Sequence, residues 1–383
     1  MKGLNDVILN YTYGVKYKYK NYHEAEDNTN SSIGGRDDMI RFGPSGIPLS
    51  CKGRTLLDGV KDVHKLGLSA LEVQFLRMNV RTRPVQEDEV DLKARDVPDK
   101  FIIGVNRGTD YETVQIDDMN KTLQHGDMVH FLSGGVAEEF YRFPEVGTLA
   151  KELDVNLTLH TPYYMKFTET EGDLVEKSKR GFKYGGVMAN ELDSNMIITH
   201  LGIIEENSSL EDVKNAVIKN LREMRNWLNQ TYEKEIKIGI ETQAGEDVFG
   251  SLDEVLDICK KVSGTVPVIN FAHVRVRDEY PLEEPEDFGE VFRTCSNFVE
   301  SEYYVNFSGV ELRPRDEYRF TPIKRGDLSF EPLVEYLLES NENVTIISNS
   351  PLKEHDAMYM RVIFERIFSK EIAKELRRKN KDE

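Results

Sequence analysis

Along most of this chain, short β-branched runs take turns with longer stretches whose apolar residues recur at every third or fourth position. The first pattern is that of a buried strand, the second that of a helix with one face on a core. Read this way, strands fall at Ile40–Gly43, Ala70–Leu76, Val155–His160, Met196–His200, Ile236–Glu241, Val266–Phe271, Tyr303–Ser308 and Val344–Ser348. Helices fall between most of them, at Thr55–Lys65, Glu138–Leu153, Leu174–Leu192, Leu210–Tyr232, Leu252–Val262, Pro285–Val299 and Phe330–Ser340, with a last one at His355–Arg378. Within Leu210–Tyr232, the residues Val213, Val217, Leu221, Met224 and Leu228 make one apolar stripe. Ser251 precedes LDEV and sets Glu254 three residues on, a capping box that marks a helix start.

Strict alternation of this kind requires parallel strands joined by right-handed crossovers, because each helix must cover one face of the sheet. Eight such units predict an α/β fold, a (β/α)8 TIM barrel over residues 37–370. A doubly wound open sheet is the main rival, but no Gly-rich phosphate turn is present and the strand count is high for it. Residues 77–134 break the alternation, with a charged run (QEDEVDLKARD), then FIIGVNRG and a further strand-like piece near Met128–Leu132. That is too long for a loop, so an inserted β-rich subdomain after strand 2 is expected at the catalytic face, as a lid or partner surface. Residues 1–36 form a polar N-terminal arm that contains KYKYKNY, and residues 371–383 a charged C-terminal tail. The Lys/Tyr alternation fits an edge strand or solvated arm better than a nucleic-acid stacking arm.

Charge changes the picture only a little. Fifty basic against 68 acidic residues leave a net charge of −18, which argues against general polyanion binding but not against one locally basic cleft. Cys51, Cys259 and Cys295 are scattered, as in a reducing compartment, and no run is long and apolar enough for a membrane span. A soluble cytoplasmic protein is the expectation.

The chemistry lies at the strand ends. His160 ends NLTLH, His200 ends MIITH and Glu241 ends IKIGIE; Asn270, His273, Asn306 and Asn349 follow in later units. From His160 through His200, Glu241, His273 and Asn306 to Asn349 the steps are 40, 41, 32, 33 and 43 residues, about one βα unit each. Polar side chains thus recur at the C-terminal ends of successive strands, the face that carries the active site in this fold. Two His and one Glu in consecutive units converge on one point and form a ligand set for a divalent ion, zinc or alternatively manganese. Glu241 is then both ligand and candidate catalytic residue.

HTPYY (160–164), THLG (199–202), IETQAG (240–245) and INFAH (269–273) resemble successive motifs of the endonuclease IV family, zinc-dependent apurinic/apyrimidinic endonucleases on a xylose isomerase-like barrel. RFGPSGIPLS (41–50), LGLSALEVQF (66–75), NFSGVE (306–311) and SNSP (348–351) continue the resemblance in order. It implies that His160, His200 and Glu241 hold a first metal, that His273 belongs to a third metal site, and that Tyr163 lies near a DNA-contacting surface. Asn270, Asn306 and Asn349 stand where the family has an Asp, a His and a Glu, and Tyr318 and Phe320 stand at two further ligand positions. Asparagine brings no charge, so fewer than three ions are expected, with Asn270, Asn306 and Asn349 turned to substrate binding. Arg275, also assigned to substrate, Arg277, and Arg313, Arg315, Arg319, Lys324 and Arg325 suggest a phosphate rim, or internal salt bridges; Lys166 adds a cation near the mouth.

Three readings remain open on sequence alone. They are a metal-dependent phosphodiester hydrolase that acts on DNA, possible substrates including abasic sites; a sugar isomerase or epimerase; and a non-catalytic barrel that binds nucleic acid or protein.

Overall fold

The computed structural model describes residues 40–108, 110–112, 119–278, 280–312, 318–340 and 342–382. The expected N-terminal arm, and Arg313 and Arg315, lie outside the described residues. Eight parallel strands form the barrel: β1 (Ile40–Pro44), β2 (Ala70–Gln74), β7 (Asn156–His160), β8 (Met196–Thr199), β9 (Lys237–Glu241), β10 (Thr265–Asn270), β11 (Tyr303–Phe307) and β14 (Val344–Ser348). Their order, β1-β14-β11-β10-β9-β8-β7-β2, is that of consecutive units around a ring. Every strand expected from the sequence pattern is present.

The ring closes where β1 meets β2. Ser69 N donates to Phe42 O at 3.0 Å and Gly46 N to Glu72 O at 2.8 Å. The seam is tight: a Cβ on Gly43 would lie 1.9 Å from the Ala70 carbonyl oxygen, so only glycine lets the first strand approach the second here. Inside the barrel, Ala70, Ile198, Val268, Tyr304 and Ile347 form an apolar plug. Outside it, the β-branched faces of the strands meet the helices.

Those helices are α1 (Leu56–Lys65), α2 (Phe143–Glu152), α3 (Asp173–Glu191), α4 (Leu210–Thr231), α5 (Leu252–Lys261), α6 (Phe271–Arg277), α7 (Pro285–Cys295), α8 (Glu331–Ser340) and α9 (Glu354–Asp382). The stripe of α4 is buried as its spacing predicts. The capping box of α5 forms, with Ser251 Oγ accepting from Glu254 N at 3.3 Å and Glu254 Oε2 accepting from Ser251 N at 2.8 Å. The stretch expected as one helix from Glu138 is a 3-10 segment (Gly135–Arg142) before α2, because Pro144 fixes the first turn of α2 and offers no N–H for an earlier one. Phe271, read as the end of a strand, instead opens α6, whose N-cap is Asn270 accepting from His273 N at 3.3 Å. The last helix continues to Asp382, through the stretch expected as a charged tail. Its first residue, the wholly buried Glu354, accepts from Leu49 N at 2.9 Å and Ser50 N at 2.8 Å and so pins the loop that leaves β1.

Between β2 and α2 the chain builds a four-stranded antiparallel sheet from β3 (Asn79–Pro84), β4 (Phe101–Arg107), β5 (Asp110–Glu112) and β6 (Met128–Ser133), in the order β3-β6-β4-β5. Phe101 stacks on Phe140 at 4.1 Å, and Arg95 pairs with Glu191 at the end of α3, so the sheet is fastened to the barrel wall. A hairpin, β12 (Gly309–Leu312) and β13 (Tyr318–Thr321), follows β11. Among the described residues, no helix is long and apolar enough to cross a membrane.

Gly43→Ala tests the seam. The added methyl group forces β1 and β2 apart, and a loss of about 2–3 kcal/mol or more is expected in chemical denaturation, against well under 1 kcal/mol for an exposed helical control such as Asn215→Ala.

Candidate metal centre

Strand alternation turns every second residue of each strand into the barrel. The uppermost inward layer therefore holds His160, Glu241, Asn270 and Asn306, with His200 one residue past β8. All of them meet at one carboxylate. Glu241 Oε2 lies 3.0 Å from His160 Nε2 and 2.8 Å from His200 Nε2. Its other oxygen, Oε1, accepts from Asn270 Nδ2 at 2.8 Å and from Asn306 Nδ2 at 3.1 Å. A carboxylate only accepts, so each asparagine must turn its NH2 towards it.

The second ring nitrogen of each histidine is fixed by a backbone carbonyl. His160 Nδ1 donates to Thr161 O at 2.7 Å and His200 Nδ1 to Tyr163 O at 3.4 Å. Because a carbonyl can only accept, Nδ1 carries the proton and Nε2 is the atom each ring offers to Glu241 Oε2 or to a cation. The ligand atoms of His160, His200 and Glu241 all lie within 4.8 Å of one another, and the three side chains are buried or half-buried. Two imidazoles and a carboxylate in this arrangement suit a divalent ion that keeps further coordination positions open.

Electrostatics couple these groups closely. Burial pushes the His160 imidazole down, but the bonded Glu241 carboxylate and the nearby Glu72 carboxyl outweigh it and raise the group to about 9. Burial likewise pushes Glu241 up, yet its hydrogen bonds to His160 and His200 and their charges hold it well below the usual carboxylate range. With no metal, a proton shared between imidazole and carboxylate occupies the place of the cation.

The wall opposite the two histidines is different. His273, on α6, donates from Nδ1 to Thr242 O at 2.6 Å, and burial lowers its pKa. Its ring packs on Phe320 at 5.4 Å and Tyr318 at 6.2 Å, both on β13. Aromatic faces thus stand around His273, which lies outside the three-residue metal cluster. Asn349 follows β14 and hydrogen-bonds through its backbone N–H to Phe307 O at 3.3 Å.

Arg275 does not join the cluster. Its guanidinium donates to Tyr280 O at 3.2 Å and pairs with Glu283 at 3.4 Å, because α6 carries it away from the barrel axis. Arg277 is taken up by Gly245 O, Val248 O and Glu254, so it braces the loop after β9. Lys166 is held by Glu169 and Glu205. Tyr163 stands at the rim and is 63% exposed.

A buried acid directly beneath the site escaped the sequence reading. Glu72 points into the barrel from β2 below the metal corner, only 1% exposed, and burial raises its pKa. It accepts from Ser45 Oγ at 3.0 Å, Gln74 Nε2 at 2.5 Å and Tyr304 OH at 3.1 Å, and the same hydroxyl meets Thr158 Oγ1 at 2.6 Å. The signal was present in LEVQF, a carboxylate inside an otherwise apolar strand.

Comparison with known proteins bears on the fold and the family. An uncharacterized protein of Methanocaldococcus jannaschii is 22% identical over 329 residues, which are 85% of this chain and 97% of the relative. Among solved structures, endonuclease IV from Thermus thermophilus is similar in fold, with 16% identity, coverage of 85% of this chain and 99% of that one, and a TM-score of 0.50. A 3-keto-D-glucoside 4-epimerase from E. coli is similar to the same degree, with 9% identity, coverage of 86% and 100%, and a TM-score of 0.52. Residues 114–360 match a family described as xylose isomerase-like TIM barrel, well over half the chain. This chain belongs to the xylose isomerase-like TIM barrel family.

Proposed function

We propose that this protein is a hydrolase that uses one divalent metal ion, zinc or manganese, to cleave a phosphodiester, with abasic DNA as the substrate to test first. The observation that carries the reading is the division of labour on Glu241. Oε2 faces two imidazole nitrogens, while Oε1 is filled by the amides of Asn270 and Asn306. A second cation on Oε1 would have to displace two N–H donors, so the donor set suits a single ion. An ion held by His160, His200 and Glu241 supplies Lewis-acid activation of water and of a phosphoryl oxygen.

The residues of the chain supply the rest. Thr161 O and Tyr163 O hold the two imidazoles in one tautomer and orientation. At the rim, Tyr163 is exposed beside Tyr164, and Lys177 lies 4.9 Å above the Tyr164 ring. Tyr164 OH accepts from Met78 N at 3.2 Å, which brings the exposed Arg77 to the same edge. An exposed ring with cations nearby can stack on a base while they meet phosphates, and similarity in fold to endonuclease IV supports that substrate class. The epimerase reading has equal support from fold. It needs acid–base groups on both sides of a substrate, but the opposite wall offers amides, and Glu72 is sealed below by Ser45, Gln74 and Tyr304.

The purified chain should hold about one zinc or manganese ion, measured by elemental analysis, and should incise a duplex bearing one abasic site. His160→Ala should lose the ion and at least about 100-fold in rate. A chain that takes up no metal on reconstitution, or whose incision is the same in His160→Ala, is not this enzyme.

The same corner predicts a pH dependence. His160 is raised from 6.5 to about 9, so its contribution to metal-free stability is complete below pH 6.5 and is lost as pH rises through about 9. Glu241 is depressed, so its contribution is present above pH 4.5 and lost as pH falls through its lowered value. The melting temperature of the metal-free chain should therefore decline between pH 6.5 and 9, and His160→Gln should flatten that decline. Metal affinity should rise over the same range, since the ion displaces the His160 proton.

A further inference from the structure

Two lysines are buried among the described residues, and they do different work. Lys179 joins helix to helix: from α3 it pairs with Glu223 of α4 at 2.7 Å and with Glu176 at 3.4 Å. Lys166 lies in the loop between β7 and α3, shortly after His160. Its Nζ reaches Ile203 O at 3.5 Å and Glu169 at 3.1 Å, and pairs with Glu205. Ile203 and Glu205 belong to the loop after β8, the loop that begins with His200.

The two loops also meet along their backbones. Phe167 N donates to Leu201 O at 2.7 Å, and Thr168 Oγ1 donates to Ile203 O at 2.7 Å. Gly202 (φ +119°) comes so close that a Cβ there would lie 2.7 Å from Met165 O and 3.1 Å from Lys166 Cα. From α4, Asn220 Nδ2 donates to Phe167 O at 3.0 Å and to Glu169 O at 2.7 Å. One further bond crosses between the loops, and it belongs to the metal corner: His200 Nδ1 donates to Tyr163 O at 3.4 Å. The gap between the loops therefore sets where the His200 ring stands relative to His160.

We propose that Lys166 is a positioning residue, which clasps the loop after β7 to the loop after β8 and so sets the spacing of the His160 and His200 imidazoles. Its ammonium offers three donors, and its partners are one backbone oxygen and two carboxylates drawn from both loops. A buried lysine needs such partners, so it holds the loops at one separation. This inference rests on the metal reading above, but not on the reaction or substrate proposed there.

The experiment uses the full-length chain and cobalt(II), whose visible absorption bands report its coordination. Lys166→Met keeps the stem and removes the ammonium; the side chains of Glu169 and Glu205 are 39% and 59% exposed, so water can take the lysine's place on them. Thr168→Val removes another bond of the clasp. Lys179→Met is the matched control, a buried and doubly paired lysine on no metal-bearing loop. The dissociation constant for cobalt should rise at least about tenfold in Lys166→Met, with altered absorption bands, and should rise in Thr168→Val. Lys179→Met should lower the melting temperature and leave affinity and bands unchanged. In the metal-free chain, NMR of the imidazole nitrogens should show His200 losing its single Nδ1–H tautomer in Lys166→Met but not in Lys179→Met. If Lys166→Met does not fold, the same comparisons on Thr168→Val decide. Equal affinity and bands in the wild type and Lys166→Met, or an equal loss in Lys179→Met, overturns the clasp and leaves the metal reading standing. A wild-type chain that takes up no cobalt removes the metal reading, and the His200 tautomer then decides: unchanged in Lys166→Met it overturns the clasp, changed it keeps it.

Discussion

A buried carboxylate must be surrounded by donors, and the upper half of this barrel is organised around meeting that demand for Glu241. Three strands and the residue just past a fourth each send one group to it: His160 from β7, His200 past β8, Asn270 from β10 and Asn306 from β11. Removing any one leaves the buried carboxylate short of a donor, a loss that water cannot readily make good. The His160 imidazole can exchange its proton for a cation, and the two amides cannot. This asymmetry gives the site one corner suited to a cation and one neutral wall.

The layers above and below keep that arrangement in place. Beneath it, the apolar plug of Ala70, Ile198, Val268, Tyr304 and Ile347 closes the barrel to solvent, and the Glu72–Tyr304–Thr158 chain satisfies the polar atoms that remain. Above it, α6 and β13 bring His273, Tyr318 and Phe320 together as a packed group. Basic residues that sequence proximity associates with the mouth serve as braces instead: Arg277 ties the loop after β9, and Lys166 is neutralised by two glutamates. A net charge of −18 makes such pairing the default for a cation. The cations left at the edge, such as Arg77 and Lys177, are the ones beside the rim tyrosines.

How much of this was legible beforehand follows from period and range. Eight strands and their helices could be read because alternation of buried runs and amphipathic stretches is a local property, fixed by which residues each element must hide. The convergence of His160, His200 and Glu241 was legible for the same reason: equal spacing places strand ends on one face whenever the strands form one ring. Short elements were less legible. Seven residues of α6 offer too little periodicity to announce a helix, and a 3-10 segment ahead of Pro144 has the apolar pattern of the α-helix it precedes.

The sequence by itself therefore determined the barrel, the convergence of His160, His200 and Glu241 and the neutral character of the opposite wall, since residue identity at a strand end fixes charge. Only the tertiary structure decided which atoms meet. It turned the amides of Asn270 and Asn306 onto one carboxylate oxygen and left Asn306 Oδ1 and Asn349 Oδ1 without partners. It also swung Arg275 out to Glu283 and sank Glu72 beneath the site. The physical reason is that hydrogen bonding acts over about 3 Å and depends on direction. Contacts between residues dozens of positions apart are set by strand register and closure, which no local pattern records.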